Sequence, residues 1–141
     1  VAYRERLLAE VQRRELADYF EFVGAVPHRE VVRYYQQADL FVSASRTGSL
    51  DKAGLEAMAC NLPLVSCNEA FQPLLIDQEG ILMFALGDAG ECADRIQAVL
   101  DLPASSRYKL GSALAIRATA NCQLDSFLSR LVLVMSKVQH G

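Results

Sequence analysis

Residues Ala38 to Ser66 read A-D-L-F-V-S-A-S-R-T-G-S-L-D-K-A-G-L-E-A-M-A-C-N-L-P-L-V-S. Leu40, Phe41 and Val42 stand in a row without polar alternation, the pattern of a strand buried on both faces. A small polar turn, Arg46 to Asp51, follows. The run from Lys52 to Cys60 is rich in Ala and predicts a helix, which Asn61, Leu62 and Pro63 stop. Leu64 to Cys67 then predicts a second buried strand. Two apolar strands joined through a helix pair in parallel, because the crossover returns the chain to the same sheet edge.

The flanks extend the alternation. Val1 to Asp18 carries Leu7, Leu8, Val11 and Leu16 on one helical stripe. Phe20 to Val23 predicts a short strand closed by Gly24. Pro27 suits a first helical turn, and Val31, Val32, Tyr34, Tyr35 and Ala38 follow at helical spacing. Ile81 to Phe84, after Gly80, predicts a fourth strand. Asp88 with Glu91 three residues on has the form of a capping box for a helix ending near Leu100. Helices are expected over Ser105 to Ala118 and Leu124 to Val138. The fold expected is α/β, a Rossmann-like parallel sheet with helices on both faces, in one partial domain over 1–141. Such domains open on a central strand, whereas this chain opens in a helix, so the pattern reads as incomplete.

Composition narrows the function. The chain has 141 residues, 52% of them hydrophobic, enough for one ordinary core. Net charge is −3 and unevenly spread: residues 1–37 hold six Arg against six acids, 38–102 three bases against ten acids, and 103–141 five bases against one acid. The most informative stretch is thus acidic, which argues against a nucleic-acid module. The longest aliphatic run, Leu131 to Met135, is far short of the ~20 residues of a membrane span. Val1 to Leu16 is amphipathic and Arg-bearing, unlike a secretory leader. Cys60, Cys67, Cys92 and Cys122 lack C-x-x-C spacing and the chain has only two His, so neither zinc nor any other metal is expected. Reduced thiols in a cytoplasmic protein are the expectation.

The chemistry lies in the 38–66 segment. A strand there ends in a small polar loop that opens a helix, and loops at the carboxyl ends of strands are where open α/β sheets bind ligands. A helix N-terminus holds phosphate through backbone N–H groups and its dipole, without basic side chains. Ser43 and Ser45 have no His–Asp arrangement near them, which excludes a hydrolytic triad. The P-loop pattern is absent.

Leu-Glu-Ala-Met-Ala-Cys-Asn-Leu-Pro-Leu-Val-Ser, residues 55–66, resembles the carboxyl-terminal, donor-binding domain of family 4 (group 1) glycosyltransferases of the GT-B fold. Phe20 to Val26, Tyr34 to Val42, Gly80 to Phe84 and Gly87-Asp88 follow in the family's order. The resemblance implies that Glu56, the second glutamate of the family's E-x7-E pair, binds the nucleotide ribose. It implies that Ser49, Leu50 and Asp51 contact the donor's sugar and diphosphate, and that the turn Gly24 to Val26 lies against the nucleobase. The position of the first glutamate is Gly48, a departure that Asp51 could offset with its own carboxylate. Asn61 replaces the family's Gly after the helix, and Asn tolerates the left-handed cap. The family's first two strands, with their phosphate-contacting Arg and Lys, and its acceptor domain have no counterpart in these residues.

The implied activity is retaining hexosyl transfer from a nucleoside-diphosphate sugar to a glycan or lipid-linked acceptor. It needs no metal and no cofactor, and it leaves the catalytic group unassigned. Two other readings accompany it: a non-catalytic nucleotide-sugar-binding or regulatory module of the same fold, and a sugar-nucleotide epimerase. Partners implied are the nucleotide-sugar donor and the acceptor, with no nucleic acid and at most peripheral membrane contact.

Overall fold

The structure, a computed structural model, describes residues 2–45 and 48–122. It forms two compact units, Val1–Val31 and Val32–Gly141. In the first, α1 (Ala2–Arg13) half-buries Leu8 and Val11 and turns charged residues outward. There Glu10 accepts from Arg13 Nε at 2.8 Å and Arg14 Nε at 2.6 Å, which holds its carboxyl down at about 2. The cluster is exposed and adds little stability.

Phe20 to Val23 is not a strand. Phe20 takes extended backbone, but no segment pairs with it among the described residues. A strand exists only where a second segment supplies hydrogen bonds, so β-propensity alone does not make one. Gly24, at φ +79°, turns the chain beyond it.

The helix α2 (His28–Gln37) starts one residue after Pro27, whose carbonyl accepts from the Glu30 amide at 2.8 Å. In the second unit, β1 (Phe41–Ser43) and β2 (Leu64–Ser66) pair in parallel, with Phe41 opposite Leu64 and Ser43 opposite Ser66. The crossover between them is α3 (Lys52–Ala59), which packs on both strands. All of β2 is buried, as expected. In β1, however, Val42 is 39% exposed, so that strand is not covered on both faces by the described residues.

Half of the expected fourth strand is helix. Residues Glu79–Leu82 form α4, because the Gln78 carbonyl accepts from the Ile81 and Leu82 amides and closes the turn locally. Only the end of the run reaches the sheet: Met83 makes an isolated parallel bridge with Ser66, and the Phe84 amide donates to Ser66 O at 3.2 Å. A run of four apolar residues fits either structure, and local hydrogen bonds decided it.

The helix α5 (Ala89–Leu100) is capped by Asp88, whose Oδ1 accepts from the Glu91 amide at 2.8 Å. The last described helix, α6 (Ala104–Cys122), outruns the expected Ser105 to Ala118. The helix expected over Leu124 to Val138 lies outside the described residues. The core joins α3, β2, the 3-10 turn Glu69–Leu74, α4, α5 and α6 through Met58, Leu64, Phe71, Leu82, Val99 and Leu114, all fully buried. Each such side chain contributes roughly 1.5–3 kcal/mol on burial.

The end of α3 is set by three residues. Asn61 sits at φ +60°, its amide donates to Met58 O at 3.0 Å, and the Leu62 amide donates to Ala57 O at 3.1 Å. That pair of bonds is a Schellman cap with Asn in the place glycine usually holds. The cap sends the chain directly into β2.

Candidate functional site

The parallel arrangement gathers three chain segments at one edge. Gly48 follows the carboxyl end of β1, Cys67 to Glu69 follow β2, and Met83 to Leu86 follow the Ser66–Met83 bridge. Together they line a cleft of about 500 Å³. This is the edge of an open α/β sheet at which ligands bind, and the volume suits a small molecule.

Asp51 organises the loop beside the cleft. Its Oδ1 accepts from the Gly54 amide at 2.6 Å, capping α3, and its Oδ2 accepts from Ser43 Oγ at 2.8 Å and Ser45 Oγ at 3.1 Å. Both oxygens are therefore engaged in fixing the strand-to-helix turn. Ser43 and Ser45, too, are committed to this carboxylate. Replacing Asp51 with Ala is expected to cost about 1–2 kcal/mol for the cap, with more for the two orphaned hydroxyls. Urea denaturation of the variant checks this, and an unchanged midpoint would contradict the capping role.

Gly48 lines the cleft with its backbone at φ +68°, and open space surrounds the position its β-carbon would take. A glutamate there would strain the backbone without meeting a clash. Ser49 gives its carbonyl to Asn68 Nδ2 at 2.8 Å, tying the β1 loop to the β2 loop. Leu50 packs against the core. Val26 belongs to the first unit and is half-buried there.

Glu56 stands on α3 with its side chain 29% exposed. Its Oε1 lies 3.4 Å from Lys52 Nζ, the i, i+4 helix pair, and its Oε2 accepts from Tyr35 Oη at 3.2 Å. Tyr35 is buried and meets Phe41 edge-to-face at 5.9 Å, so the phenol is held by packing. In the sequence Tyr35 stands out only by its helical spacing. No local signal marks its hydroxyl as a partner of a carboxylate 21 residues on.

Burial first, and the Glu56 carboxylate second, push the Tyr35 phenol up to about 12 from an ordinary 10.0. Burial also raises the Cys60 thiol, with Glu56 adding to it. A raised phenol pKa stabilises the fold fully below the unfolded value and loses that contribution as pH climbs through the folded one. The stability advantage of the wild type over Tyr35→Phe is therefore expected to be flat through neutral pH and to decline only above about pH 10. Denaturation at a series of pH values checks this. An advantage that varied around neutrality would overturn it.

The far wall of the cleft is braced as well. Glu91 Oε2 accepts from the Ala85 amide at 2.6 Å, Arg95 Nη2 donates to Glu91 Oε1 at 2.7 Å, and Arg95 Nε donates to Met83 O at 2.9 Å. These bonds hold the Glu91 carboxyl below its usual range. Glu91 thus reaches past Asp88 to Ala85 instead of closing the reciprocal half of a capping box. Among the described residues no group of His, Cys, Asp or Glu forms a metal cluster, and no helix is long and apolar enough to cross a membrane.

Residues 2–101 match the family model described as glycosyl transferases group 1. The chain is 26% identical over 123 residues to spore coat protein SA of Bacillus subtilis, covering 85% of this chain and 32% of that protein. It is 32% identical over 99 residues to a phosphatidyl-myo-inositol mannosyltransferase of Propionibacterium freudenreichii, covering 67% and 26%. It is 32% identical over 118 residues to the lipopolysaccharide core biosynthesis mannosyltransferase LpsB of Rhizobium meliloti, covering 82% and 32%. The chain spans about a third or less of the length of these relatives. No solved structure matches.

Proposed function

The chain belongs to the group 1 glycosyltransferases, and we propose that it is the donor-binding part of a retaining hexosyltransferase of the GT-B type. The enzyme moves a hexose from a nucleoside-diphosphate sugar to a glycan or lipid-linked acceptor, without a metal or cofactor. The observation that carries this reading is the cleft at the carboxyl edge of the parallel strands. Glu56 is not among its described lining residues and is held on α3 by Tyr35. A carboxylate accepts from two vicinal hydroxyls at once, which suits Glu56 to the ribose. The Ser49 and Leu50 backbone and the α3 dipole face the charge that develops on the departing diphosphate. Gly48 contributes backbone only, and Asp51 holds this loop in place.

The acceptor site and any acid or base lie in a further domain of the complete polypeptide, since the relatives are more than twice as long as this chain. The free thiols of Cys60, Cys67 and Cys92 suit the cytoplasm. Gly48 favours a second reading, a sugar-nucleotide-binding module without transfer, because the sugar-contacting carboxylate of the family pair is absent from its usual place.

The test is a thermal-shift panel of UDP, GDP and ADP and their hexose conjugates on the complete polypeptide, followed by product analysis. A ligand at about 100 times its dissociation constant stabilises by roughly 2.7 kcal/mol, a rise of several degrees. One nucleotide giving that shift, together with a new glycosidic product, is the expected result. A shift without product favours the binding module. An altered nucleotide sugar with no new glycosidic bond indicates an epimerase, and no shift with any nucleotide overturns the donor-binding reading.

A further inference from the structure

We propose that Glu69, and not a residue of the 48–51 loop, reads the hydroxyl groups of a neutral donor sugar in the cleft. The inference rests on the donor-binding reading above and concerns which side chain selects the sugar. Among the described lining residues of the cleft, Glu69 is the one with a charged side chain. It is exposed, and it makes no side-chain hydrogen bond or ion pair with the described residues. Asp51, the other carboxylate near this loop, has both oxygens occupied by Gly54, Ser43 and Ser45.

The position of Glu69 is fixed by its predecessor. The Asn68 amide donates to Ser66 Oγ at 3.0 Å, its Oδ1 accepts from the Ala70 amide at 3.1 Å, and its Nδ2 donates to Ser49 O at 2.8 Å. Glu69 is therefore the first residue of a capped turn clamped to the loop that carries Gly48. Glu69 and Gly48 line the same cleft, and open space surrounds the position a β-carbon on Gly48 would take.

The remaining wall suits a sugar better than a cation. Met83, Phe84 and Leu86 make it apolar, held by the Glu91 and Arg95 bonds to Ala85 and Met83. A pyranose offers an apolar C–H face and hydroxyl donors on its rim, matching one apolar wall and one carboxylate. A divalent cation needs several oxygen ligands, and the nearby Ser49 carbonyl is already bonded to Asn68.

The experiment measures, on the complete polypeptide, the affinities of UDP, GDP and ADP and of UDP-glucose, GDP-mannose and ADP-glucose, for wild type, Glu69→Gln and Glu69→Ala. The expected result is unchanged affinity for the free nucleoside diphosphate and a loss of about tenfold or more for its hexose conjugate, the scale of a lost hydrogen bond to a charged group. Retained diphosphate binding also serves as the control for folding. Hexose-conjugate affinity within about twofold of wild type in both variants would overturn the proposal. So would an equal loss for diphosphate and conjugate, because the contact would then not be to the sugar. If the wild type binds none of the nucleotides, the donor-binding reading itself has failed and this one falls with it.

Discussion

Replacing Glu56 with glutamine is expected to lower kcat/KM for glycosyl transfer by about a hundredfold, close to 2.7 kcal/mol of lost transition-state binding. Glutamine keeps the shape of the side chain and can still accept from Tyr35 Oη, which lies 3.2 Å from Oε2. What it loses is charge, and with it the charge-assisted acceptance of two vicinal hydroxyls. The fold should hardly notice. The pair with Lys52 is an i, i+4 helix contact with the lysine side chain 74% exposed, worth a few tenths of a kcal/mol. Activity and stability should therefore separate: a large kinetic loss with a melting temperature within about a degree of wild type. Steady-state kinetics and thermal melts on the complete polypeptide decide it. Transfer within about threefold of wild type would remove Glu56 from the donor site and leave it a structural residue held by Lys52 and Tyr35.

The second large effect is on stability. Gly111 lies in α6 where that helix crosses the end of α3, and a β-carbon built on it would fall 1.8 Å from Asn61 O and 2.6 Å from Asn61 C. Those atoms are backbone, and Asn61 is held at φ +60° by the cap of α3, so neither side can rotate away. Gly111→Ala must push α6 off α3, the two helices whose packing closes this side of the core around Met58 and Leu114. Alanine gains about 1 kcal/mol in helix propensity. Overpacking against immovable backbone costs roughly 3 kcal/mol or more, so the clash wins. The expected outcome is a melting temperature lower by about 10 °C, or an insoluble product. A variant that melts at or above the wild type would mean that the two helices do not approach as closely as 1.8 Å from a β-carbon implies.

Several features were legible along the chain because their hydrogen bonds close within a few residues. Asp88 caps the helix that follows it, bonding the amide three residues ahead. Asn61 takes the left-handed conformation that its place after Ala-Met-Ala-Cys required. The two consecutive apolar strands pair in parallel around the helix between them. Even here the reading had a limit. The sequence offered Asp51 as a substitute for the carboxylate missing at Gly48, whereas the geometry gives its oxygens to Gly54, Ser43 and Ser45.

Phe20 to Val23 and Ile81 to Phe84 have strand composition, yet the first has no pairing segment among the described residues and the second spends half its length in a helical turn. Strand formation is decided by a neighbour, and composition does not say where that neighbour is. The same holds for the contacts that give the site its character. The Tyr35 hydroxyl reaches Glu56 across 21 residues, the Asn68 side-chain Nδ2 reaches Ser49 across 19, and Gly111 meets the carbonyl of Asn61. By itself the sequence determined the α/β alternation, the Asp88 cap and the family motif, because these depend on spacing and on bonds local to the chain. Only the tertiary structure decided which carboxylate stands in the cleft and which is consumed in holding the loop, because that depends on what the fold brings within hydrogen-bonding reach.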